Sequence, residues 1–353
     1  MTSSRRSDLQ GLVGYHSAQV DVAVRLNTNE APLPPPEGFA RRFLQGLDEI
    51  ALNRYPDRDA TALRSALAHL EGVAPSNIYC ANGSNEVLQT LFLAYGGAGQ
   101  SALIFEPTYA LHSHIARITG TTVITHQRDE QFDLTANEVA ESIESSDPAL
   151  TFFCSPNNPT GLSESVEAIT AALEVGTGLV VVDEAYGQFA SHRAQDLFGT
   201  PGSDRLVVVK TFSKTWALAG LRLGYAMADD GVIAACAMVG LPYHLSSLTQ
   251  VAGLAALGDL ETMQERTQEL TAERIRLAKE LESLPLDVWP SEANFILFRP
   301  LTKSGHDVWK ELVDRSVLVR DCSSWPRLEN CLRVTVGTRE QDDLFLEALK
   351  EIL

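Results

Sequence analysis

The segment KTFSKTWALAGLRLGY, residues 210–225, places a lysine in a turn just after an apolar run, with an arginine eight positions further on. The chain contains only six lysines, and none of them precedes Lys210. Lys214 therefore stands out as a primary amine among small and hydroxyl side chains, where an amine can act as a nucleophile toward a carbonyl group. A solvated loop lysine is the ordinary alternative, and the neighbouring motifs decide between the two.

Polar side chains follow three apolar runs and open one helix in the same part of the chain. ALTFFC precedes SPNNPTG, GLVVV precedes DEAY, RLVVV precedes KTFSK, and ANGSNEVL forms a Gly-Ser-Asn turn before a helix. Because ligands of parallel sheets bind beyond the carboxyl ends of the strands, these turns should meet at one sheet edge. The polar residues that they present are Ser84, Asn85, Asn157, Asp183, Tyr186, Thr211, Ser213, Lys214 and Arg222.

Taken alone, each of these turns has an ordinary explanation. A Gly-Ser-Asn turn commonly caps a helix, and an aspartate that ends a buried strand often does the same. Together they supply an amine for a Schiff base, a carboxylate, phenol and amide donors, and a helix N-terminus with an arginine for a phosphate. These are the groups that pyridoxal 5′-phosphate requires, so the sequence predicts that cofactor.

Short apolar runs alternate with helical segments through most of the chain. The predicted strands are SALIFE, TTVITH, ALTFFC, GLVVVDEA, RLVVVKT and RLGYAMA, and several are apolar enough for buried parallel strands. This alternation predicts an α/β sheet with helices on both faces. We interpret residues 1–38 as an irregular N-terminal arm, 39–284 as a large domain ending in a long helix, and 285–353 as a smaller α+β domain that the arm helps to complete.

Composition limits the classes of partner and the compartment. The chain has 353 residues, a net charge of −18 and five scattered cysteines without a C-x-x-C pair. The acidic balance argues against nucleic-acid or anionic-membrane partners, because both need a basic face. The cysteine pattern, the lack of an apolar leader and the lack of an apolar run of about 20 residues predict a cytoplasmic protein. His112 and His114 lie two apart with no completing ligand, so we predict no metal site and interpret both as ordinary polar residues.

These motifs, in this order, resemble the class II aminotransferases of fold type I. The resemblance covers nearly the whole chain, through VRLNTNEAP, RYPD, ANGSNEVL, EPTYALH, SPNNPTG, VVDEAY, TFSKTWALAGLRLGY, LPYHLSSLTQ, EANFILF, VLVRDCSS and LENCLRVTVGT. The last two favour the histidinol-phosphate branch of that family. The resemblance implies a large, mostly parallel α/β/α domain, a smaller α+β domain and pyridoxal 5′-phosphate. Trp216 and Ala217 stand where the familiar motif has Phe and Gly, a change that bears on packing more than on chemistry.

The resemblance also implies a role for each residue at the cofactor. Lys214 would hold the cofactor as a Schiff base and later move the substrate proton, while Asp183 would keep the pyridine nitrogen protonated. Tyr186 and Asn157 would hydrogen-bond the ring oxygen, and Tyr109 would stack on the ring. The phosphate would be bound by Ser84, Asn85, Thr211, Ser213, Arg222 and the partner subunit's Tyr55, which implies a homodimer with shared active sites.

The resemblance further implies the substrates. Arg333 matches the position where related enzymes bind an α-carboxylate, and histidinol phosphate would place its phosphate there. Tyr15, Tyr55, Asn157 and Arg320 would complete the substrate site. The predicted reaction moves an amino group between L-histidinol phosphate and 2-oxoglutarate in histidine biosynthesis. An aromatic amino acid aminotransferase, a threonine-phosphate decarboxylase-like enzyme and a non-catalytic cofactor-binding regulator are the alternatives, and the presence of Lys214, Asp183 and Tyr186 together argues against the regulator.

Overall fold

The structure is a computed structural model that describes residues 6–14 and 18–353. Its strands form a seven-stranded sheet and a five-stranded sheet. In chain order they are β1 (Val24–Leu26), β2 (Ile78–Ala81), β3 (Ser101–Glu106), β4 (Thr122–Gln127), β5 (Leu150–Cys154), β6 (Leu179–Asp183), β7 (Leu206–Thr211), β8 (Gly224–Met227), β9 (Leu286–Val288), β10 (Phe295–Pro300), β11 (Val317–Asp321) and β12 (Leu332–Thr335).

The larger sheet has the strand order β2-β8-β7-β6-β5-β3-β4. Strands β3 to β7 pair with one another in parallel, as expected for apolar runs that are buried on both faces. Strand β8 pairs antiparallel with β7 on one side and with β2 on the other, so the sheet is mixed at that side. The carboxyl ends of β5, β6 and β7 consequently lie next to one another.

Helices cover both faces of the larger sheet. Side chains alternate across the strands, so Val180 and Val182 pack in one hydrophobic cluster while Val181 packs in the other. Helix α2 ends where Gly72 takes a left-handed φ of 71°. The helices are α1 (Glu37–Leu47), α2 (Thr61–Glu71), α3 (Ser84–Tyr95), α4 (Leu111–Thr119), α5 (Ala136–Ser146), α6 (Val166–Glu174), α7 (Asp230–Val239), α8 (Ser247–Leu257), α9 (Leu260–Glu282), α10 (Gly305–Asp314) and α11 (Arg339–Ile352).

The smaller sheet has the order β1-β11-β12-β10-β9 and forms its own hydrophobic core with α9, α10 and α11. Strand β1 lies within the segment that the sequence suggested was irregular, and it pairs in parallel with β11. Three residues are too few to show the alternation that identifies a strand, which explains the difference. The domain boundaries at 38/39 and 284/285 stay a prediction. None of the helices in the described ranges is long and apolar enough to cross a membrane.

Candidate active site

The turns after β5, β6 and β7 and the start of α3 surround one cavity of about 350 Å³. The sequence predicted that these turns meet at one sheet edge, and all but one of their nine polar residues line this cavity. Those that do are Ser84, Asn85, Asp183, Tyr186, Thr211, Ser213, Lys214 and Arg222, together with Tyr109 and Arg333 from other elements.

The turn that contains Lys214 is anchored by two aromatic rings. Phe212 and Trp216 are buried and stack with ring centroids 5.1 Å apart, so the lysine between them is held toward the cavity. Its Nζ donates a hydrogen bond to the Thr28 carbonyl oxygen at 3.1 Å. Burial and, to a smaller extent, the charge of Arg333 lower the pKa of Lys214 to about 8. A sizeable fraction of this amine is therefore neutral near pH 8, as a nucleophile or base requires.

Trp216 and Ala217, which differ from the familiar family motif, lie within the same turn. Ala217 has a φ of 56°, a left-handed conformation that costs a residue with a Cβ roughly 1–2 kcal/mol and glycine very little. Trp216 occupies the core beneath the turn and is 5% exposed. The two substitutions thus affect the packing and strain of the turn, while Lys214 still lines the cavity.

Asp183, the last residue of β6, is held by a histidine that we had interpreted as an ordinary polar residue. His112 is fully buried, and its Nε2 lies 3.2 Å from the Asp183 Oδ2 atom. Its ring also meets the Tyr109 ring edge to face at 5.5 Å. Tyr109 and His112 are three residues apart, a spacing that brings side chains together at the start of a helix. That spacing in EPTYALH, rather than the separation from His114, was the informative feature.

Tyr186 presents its hydroxyl group to the cavity. The hydroxyl oxygen accepts hydrogen bonds from Asn29 Nδ2 at 2.9 Å and from Asn158 Nδ2 at 3.5 Å. A phenol has one donor and two acceptor positions, so its hydrogen remains available for a ligand oxygen. Burial raises the pKa of Tyr186, which keeps the hydroxyl protonated. The residue can therefore donate to an anionic ring oxygen.

Asn157 does not line the cavity, and Asn158 does. The Asn157 amide donates to the Pro107 carbonyl at 3.0 Å and to Thr160 Oγ1 at 2.9 Å, and its Oδ1 accepts from Thr108. Its side-chain amide is thus used in contacts with its own loop and with the turn after β3. The structure corrects the predicted position of the amide by one residue, because sequence alone does not reveal which of two adjacent asparagines faces inward.

The N-terminus of α3 forms a cradle at the other end of the cavity. Gly83 precedes the helix with a φ of 83°, and a Cβ there would lie 2.5 Å from Arg222 Nη2. A Cβ on Gly224 would lie 2.3 Å from the Ser84 backbone nitrogen. Both glycines therefore let the backbone amides and the guanidinium approach one point, where Ser213 Oγ also accepts from Arg222 at 3.3 Å. A helix N-terminus with an arginine is an anion site.

Arg333 on β12 provides a second cation in the same cavity. It is 5% exposed, so the ordinary alternative of a solvent-facing strand arginine does not apply. Its guanidinium donates to Asn158 Oδ1 and to the Asn27 carbonyl at 2.9 Å, and lies 5.0 Å from the centre of the Phe295 ring. It forms no ion pair with a carboxylate among the described residues. A buried cation with only neutral partners is suited to an anionic ligand.

Arg320 and Tyr55, two further predicted site residues, do not line this cavity. Arg320 pairs with Arg333 across β11 and β12, and its guanidinium lies over the Trp325 ring at 5.8 Å, outside the cavity lining. Tyr55 is 80% exposed and is not part of this chain's own cavity. Tyr15 lies outside the described residues.

The N-terminal segment contributes residues that sequence reasoning missed. Asn27, Thr28, Asn29 and Glu30 line the cavity opposite the lysine turn. The Asn29 backbone N–H donates to Thr335 Oγ1 at 3.0 Å, which fixes this segment to the smaller sheet. Their polar run in VRLNTNEAP precedes a proline-rich stretch and gave no indication of its own that it would face the lysine.

The chain matches the family model for aminotransferases of class I and II over residues 21–349. It therefore belongs to that family and is a pyridoxal-phosphate-dependent aminotransferase. A histidinol-phosphate aminotransferase of Frankia casuarinae is 44% identical over 99% of this chain and 90% of its own length.

Two solved structures support the same fold. A putative histidinol-phosphate aminotransferase of Erwinia carotovora atroseptica has a TM-score of 0.86 at 26% identity, covering 93% of this chain and 95% of its own. The Sinorhizobium meliloti histidinol-phosphate aminotransferase, solved with pyridoxal-5′-phosphate, has a TM-score of 0.84 at 22% identity, covering 94% and 92%. The predicted fold class, a fold-type-I α/β protein with a large, mostly parallel sheet and a smaller one, is confirmed.

The cavity of this chain fits pyridoxal 5′-phosphate on its own chemistry. The glycines that open the cradle leave room for a phosphate, and Lys214 offers an amine with a lowered pKa. Asp183 offers a carboxylate for a pyridinium nitrogen, and Tyr186 has a hydroxyl hydrogen to donate. Acidic, phenolic, amine and anion-binding groups therefore occur in one cavity, as this cofactor demands.

We expect Asp183→Ala to lower kcat by at least about 10²-fold, the usual effect of removing a preorganised charge from an active site. His112→Ala should lower kcat less, because it removes only the group that positions the carboxylate. The measurement is steady-state turnover of cofactor-saturated proteins, with His112→Asn as the conservative control. Near-normal turnover by Asp183→Ala would mean that the carboxylate acts only in the local hydrogen bonds of the turn.

Proposed function

We propose that this protein moves an amino group between L-histidinol phosphate and 2-oxoglutarate, a reaction of histidine biosynthesis. The observation that carries the proposal is the buried guanidinium of Arg333, which has no carboxylate partner among the described residues and lines the same cavity as Lys214. It offers a phosphate-binding fork in a protein whose net charge of −18 otherwise repels anions. Full-length relatives at 40–44% identity named histidinol-phosphate aminotransferase support the assignment.

The residues of this chain divide the work between binding and proton transfer. When bound, pyridoxal phosphate supplies an electron sink for the substrate carbon. Asp183 would keep the ring nitrogen protonated, and the Tyr186 hydroxyl would donate to the ring oxygen. The cradle at Ser84 and Arg222 would bind the phosphate and so hold the cofactor in position relative to Lys214. Lys214 Nζ, neutral in part at its pKa of about 8, would be the base that holds and moves the proton of the substrate carbon.

Arg333 would serve both amino donors in turn. It would bind the phosphate of histidinol phosphate in one half-reaction and a carboxylate of glutamate in the other. Both ligands are anions that a guanidinium can bind through two parallel hydrogen bonds. Arg333 is linked through Asn158 to Tyr186, so a substrate anion bound by Arg333 would lie near the group proposed to bind the cofactor ring.

A substrate panel tests the proposed specificity. Purified holoenzyme is assayed with histidinol phosphate, histidinol, phenylalanine and threonine phosphate as amino donors and 2-oxoglutarate as acceptor. We expect histidinol phosphate to exceed histidinol by about 10²-fold or more in kcat/KM. Hydrogen bonds to charged groups contribute roughly 1.5–3 kcal/mol each, and about 1.4 kcal/mol is worth a factor of ten.

Each other outcome of the panel identifies one of the alternatives. Faster turnover of phenylalanine would identify an aromatic aminotransferase, in which Arg333 binds a carboxylate. Release of carbon dioxide from threonine phosphate would identify a decarboxylase. Turnover of none of the four donors by a protein that holds its cofactor would favour the non-catalytic regulator.

We also propose a homodimer whose active sites are shared. Tyr55 is 80% exposed, although tyrosine side chains are usually at least partly buried. Its ring stacks on that of Tyr243, with the ring centroids 4.6 Å apart. Leu52, Met238 and Leu241 are also strongly exposed, at 84%, 82% and 74%. Exposed apolar side chains of this size favour a surface that a second subunit covers. The partner subunit's Tyr55 would then complete the phosphate cradle of this chain.

Mixing two impaired variants tests the shared site. Tyr55→Ala should lose about 10-fold or more in activity, the value of one hydrogen bond to a charged group, and Lys214→Ala should be inactive. In a mixed dimer one site carries both defects and the other carries neither. At equal mixing about a quarter of all sites are therefore intact, and activity should rise toward about a quarter of the wild-type value. Exchange is verified with differently tagged chains. Unchanged activity after verified exchange would exclude the shared site.

We further propose that the protein is cytoplasmic. All five cysteines are free and buried, and none is joined in a disulfide. A reducing compartment keeps thiols in this state.

A further inference from the structure

A second cavity, of about 290 Å³, lies against the turn that contains Lys214, and we call it the hinge cavity. Four parts of the chain line it: the segment around Leu33, the turn residues Thr215 and Ala217, helix α9, and the start of α11. A water molecule occupies about 30 Å³ of liquid, so the cavity has room for roughly ten waters or one small organic molecule. It lies between elements of the larger and smaller sheets.

One wall of the hinge cavity is apolar. Leu33 and Leu270 face it, along with the small side chains of Ala31 and Ala217. Leu33 is 43% exposed, which is a considerable apolar surface for a residue at a cavity wall. Small-molecule sites combine apolar walls of this kind with a few polar groups. The cavity is therefore suited to a ligand with an apolar part.

A buried hydroxyl group in the wall has no partner. Thr215 is 7% exposed, and its Oγ1 forms no hydrogen bond among the described residues. An unsatisfied buried polar atom costs about 1–3 kcal/mol, so native structures seldom leave one without a partner. A ligand with a polar group in the hinge cavity would supply that partner.

Charges of both signs surround the cavity. Arg266, Glu269 and Glu273 lie on one face of α9, and Arg339 is the first residue of α11, where the helix dipole also favours an anion. Glu273 is already paired with Arg276, whereas Glu269 forms no ion pair among the described residues. Two cations and two carboxylates would repel a dianion or a dication. They match a ligand that carries one charge of each sign.

We propose that the hinge cavity binds a zwitterionic α-amino acid with an apolar side chain. Its carboxylate meets Arg266 and Arg339, its ammonium group meets Glu269, and its side chain packs on Leu33 and Leu270.

The bound amino acid also acts on the lysine turn. Thr215 directly follows Lys214, and the Ala217 backbone N–H donates to the Lys214 carbonyl at 3.1 Å. On the cavity's other side, Arg266 donates to the Pro34 carbonyl at 2.7 Å, in the segment whose Thr28 carbonyl accepts from Lys214. An occupant therefore contacts both supports of the lysine and changes kcat.

Calorimetry on the holoenzyme reduced with borohydride tests the binding step. Reduction fixes the cofactor on its lysine, so no added amino acid is turned over and the result does not depend on the natural amino donor. The probes are L-leucine, L-phenylalanine and L-histidine, with isovalerate and isoamylamine as analogues of leucine that each lack one charge. We expect at least one amino acid to bind with a Kd of about 1 mM or below, and each analogue to bind at least about 10-fold more weakly.

Two leucine variants of equal exposure locate the site. Leu33→Trp fills the hinge cavity, and Leu344→Trp, at a leucine that is 45% exposed on α11 away from the cavity, is the matched control. Leu33→Trp should weaken binding at least about 10-fold, and Leu344→Trp should not. Glu269→Gln is a surface change that leaves folding intact. It should weaken the binding of the amino acid but not the binding of isovalerate.

Other outcomes overturn the proposal. No heat from any amino acid at 10-fold above the expected Kd excludes the site, and equal binding to Leu33→Trp places it elsewhere. Equal affinity for leucine and both analogues would show that the cavity does not recognise the two charges of a zwitterion. In unreduced enzyme, leucine should change kcat at least about twofold in the wild-type chain but not in Leu33→Trp, since a ligand acts only through its different affinity for two states. An unchanged kcat refutes the coupling.

Discussion

Replacement of Lys214 by alanine should lower turnover by at least about 10³-fold, because one side chain supplies both the covalent anchor of the cofactor and the proton-transferring base. Lys214 is the lysine that lines the active-site cavity, whereas Lys210, four residues earlier, is buried in an ion pair with Glu71 at 2.9 Å. The protein should therefore also lose the visible absorption of the covalently held cofactor. Steady-state kinetics and absorption spectra measure the two effects.

Lys214→Arg separates charge from nucleophilicity. It keeps a cation in the cavity, but a guanidinium does not lose its proton in proteins and so cannot form the covalent bond. We expect this variant to be as inactive as Lys214→Ala. Borohydride reduction of the wild-type holoenzyme followed by peptide mapping should place the cofactor label on Lys214. A label on Lys210 or on another lysine would show that the anchor has been assigned to the wrong residue.

The pKa of Lys214 gives this prediction a pH dependence. Only the neutral amine adds to an aldehyde, and burial lowers the lysine pKa to about 8. The rate at which the apoprotein takes up pyridoxal 5′-phosphate should therefore rise with pH through a midpoint near 8. Arg333→Ala removes a cation that disfavours protonation, so the midpoint should move upward. A midpoint near the ordinary lysine value in the unmodified chain would contradict the desolvated position.

The larger sheet was predictable because uniform apolar runs have few alternatives. The run LVVVD, for example, is too apolar for a strand with one solvent face, and β6 (Leu179–Asp183) is buried along its whole length. Once such strands are parallel, their carboxyl ends meet, and the polar residues that follow them must converge. Convergence therefore followed from strand direction, without knowledge of any side-chain contact.

The parts of the site that sequence reasoning missed depend on side-chain orientation. Asn157 and Asn158 are chemically identical neighbours, and only the loop geometry makes the second one face Tyr186. His112 contacts Asp183 through the first turn of α4, a long-range contact that helical periodicity alone does not specify. Asn29 reaches the cavity because β1 pairs with a strand almost 300 residues away. Such contacts arise from tertiary packing and not from local pattern.

Arg333→Ala should remove most of the preference for the phosphorylated substrate. The guanidinium is 5% exposed and, within the part of the chain that the structure describes, hydrogen-bonds neutral groups, so it is free to bind a substrate phosphate. Loss of a charged hydrogen-bond pair of roughly 1.5–3 kcal/mol per bond should lower kcat/KM for histidinol phosphate by about 10²-fold or more. The kcat/KM for glutamate should also fall, because its carboxylate would bind to the same guanidinium.

Unphosphorylated histidinol serves as the internal control for this variant. Arg333 also supports Tyr186 through Asn158, so its loss could disturb the cofactor as well as the substrate. A disturbance of the cofactor lowers kcat/KM for both donors equally, whereas loss of a phosphate ligand lowers only that of histidinol phosphate. We therefore expect the ratio of the two kcat/KM values to fall from about 10² toward 1, with the visible absorption band intact. Arg333→Lys, which keeps the charge but not the planar fork, should recover only part of the ratio. A ratio that survives in Arg333→Ala would assign the phosphate to another cation, and Arg320 on the neighbouring strand would be the next to replace.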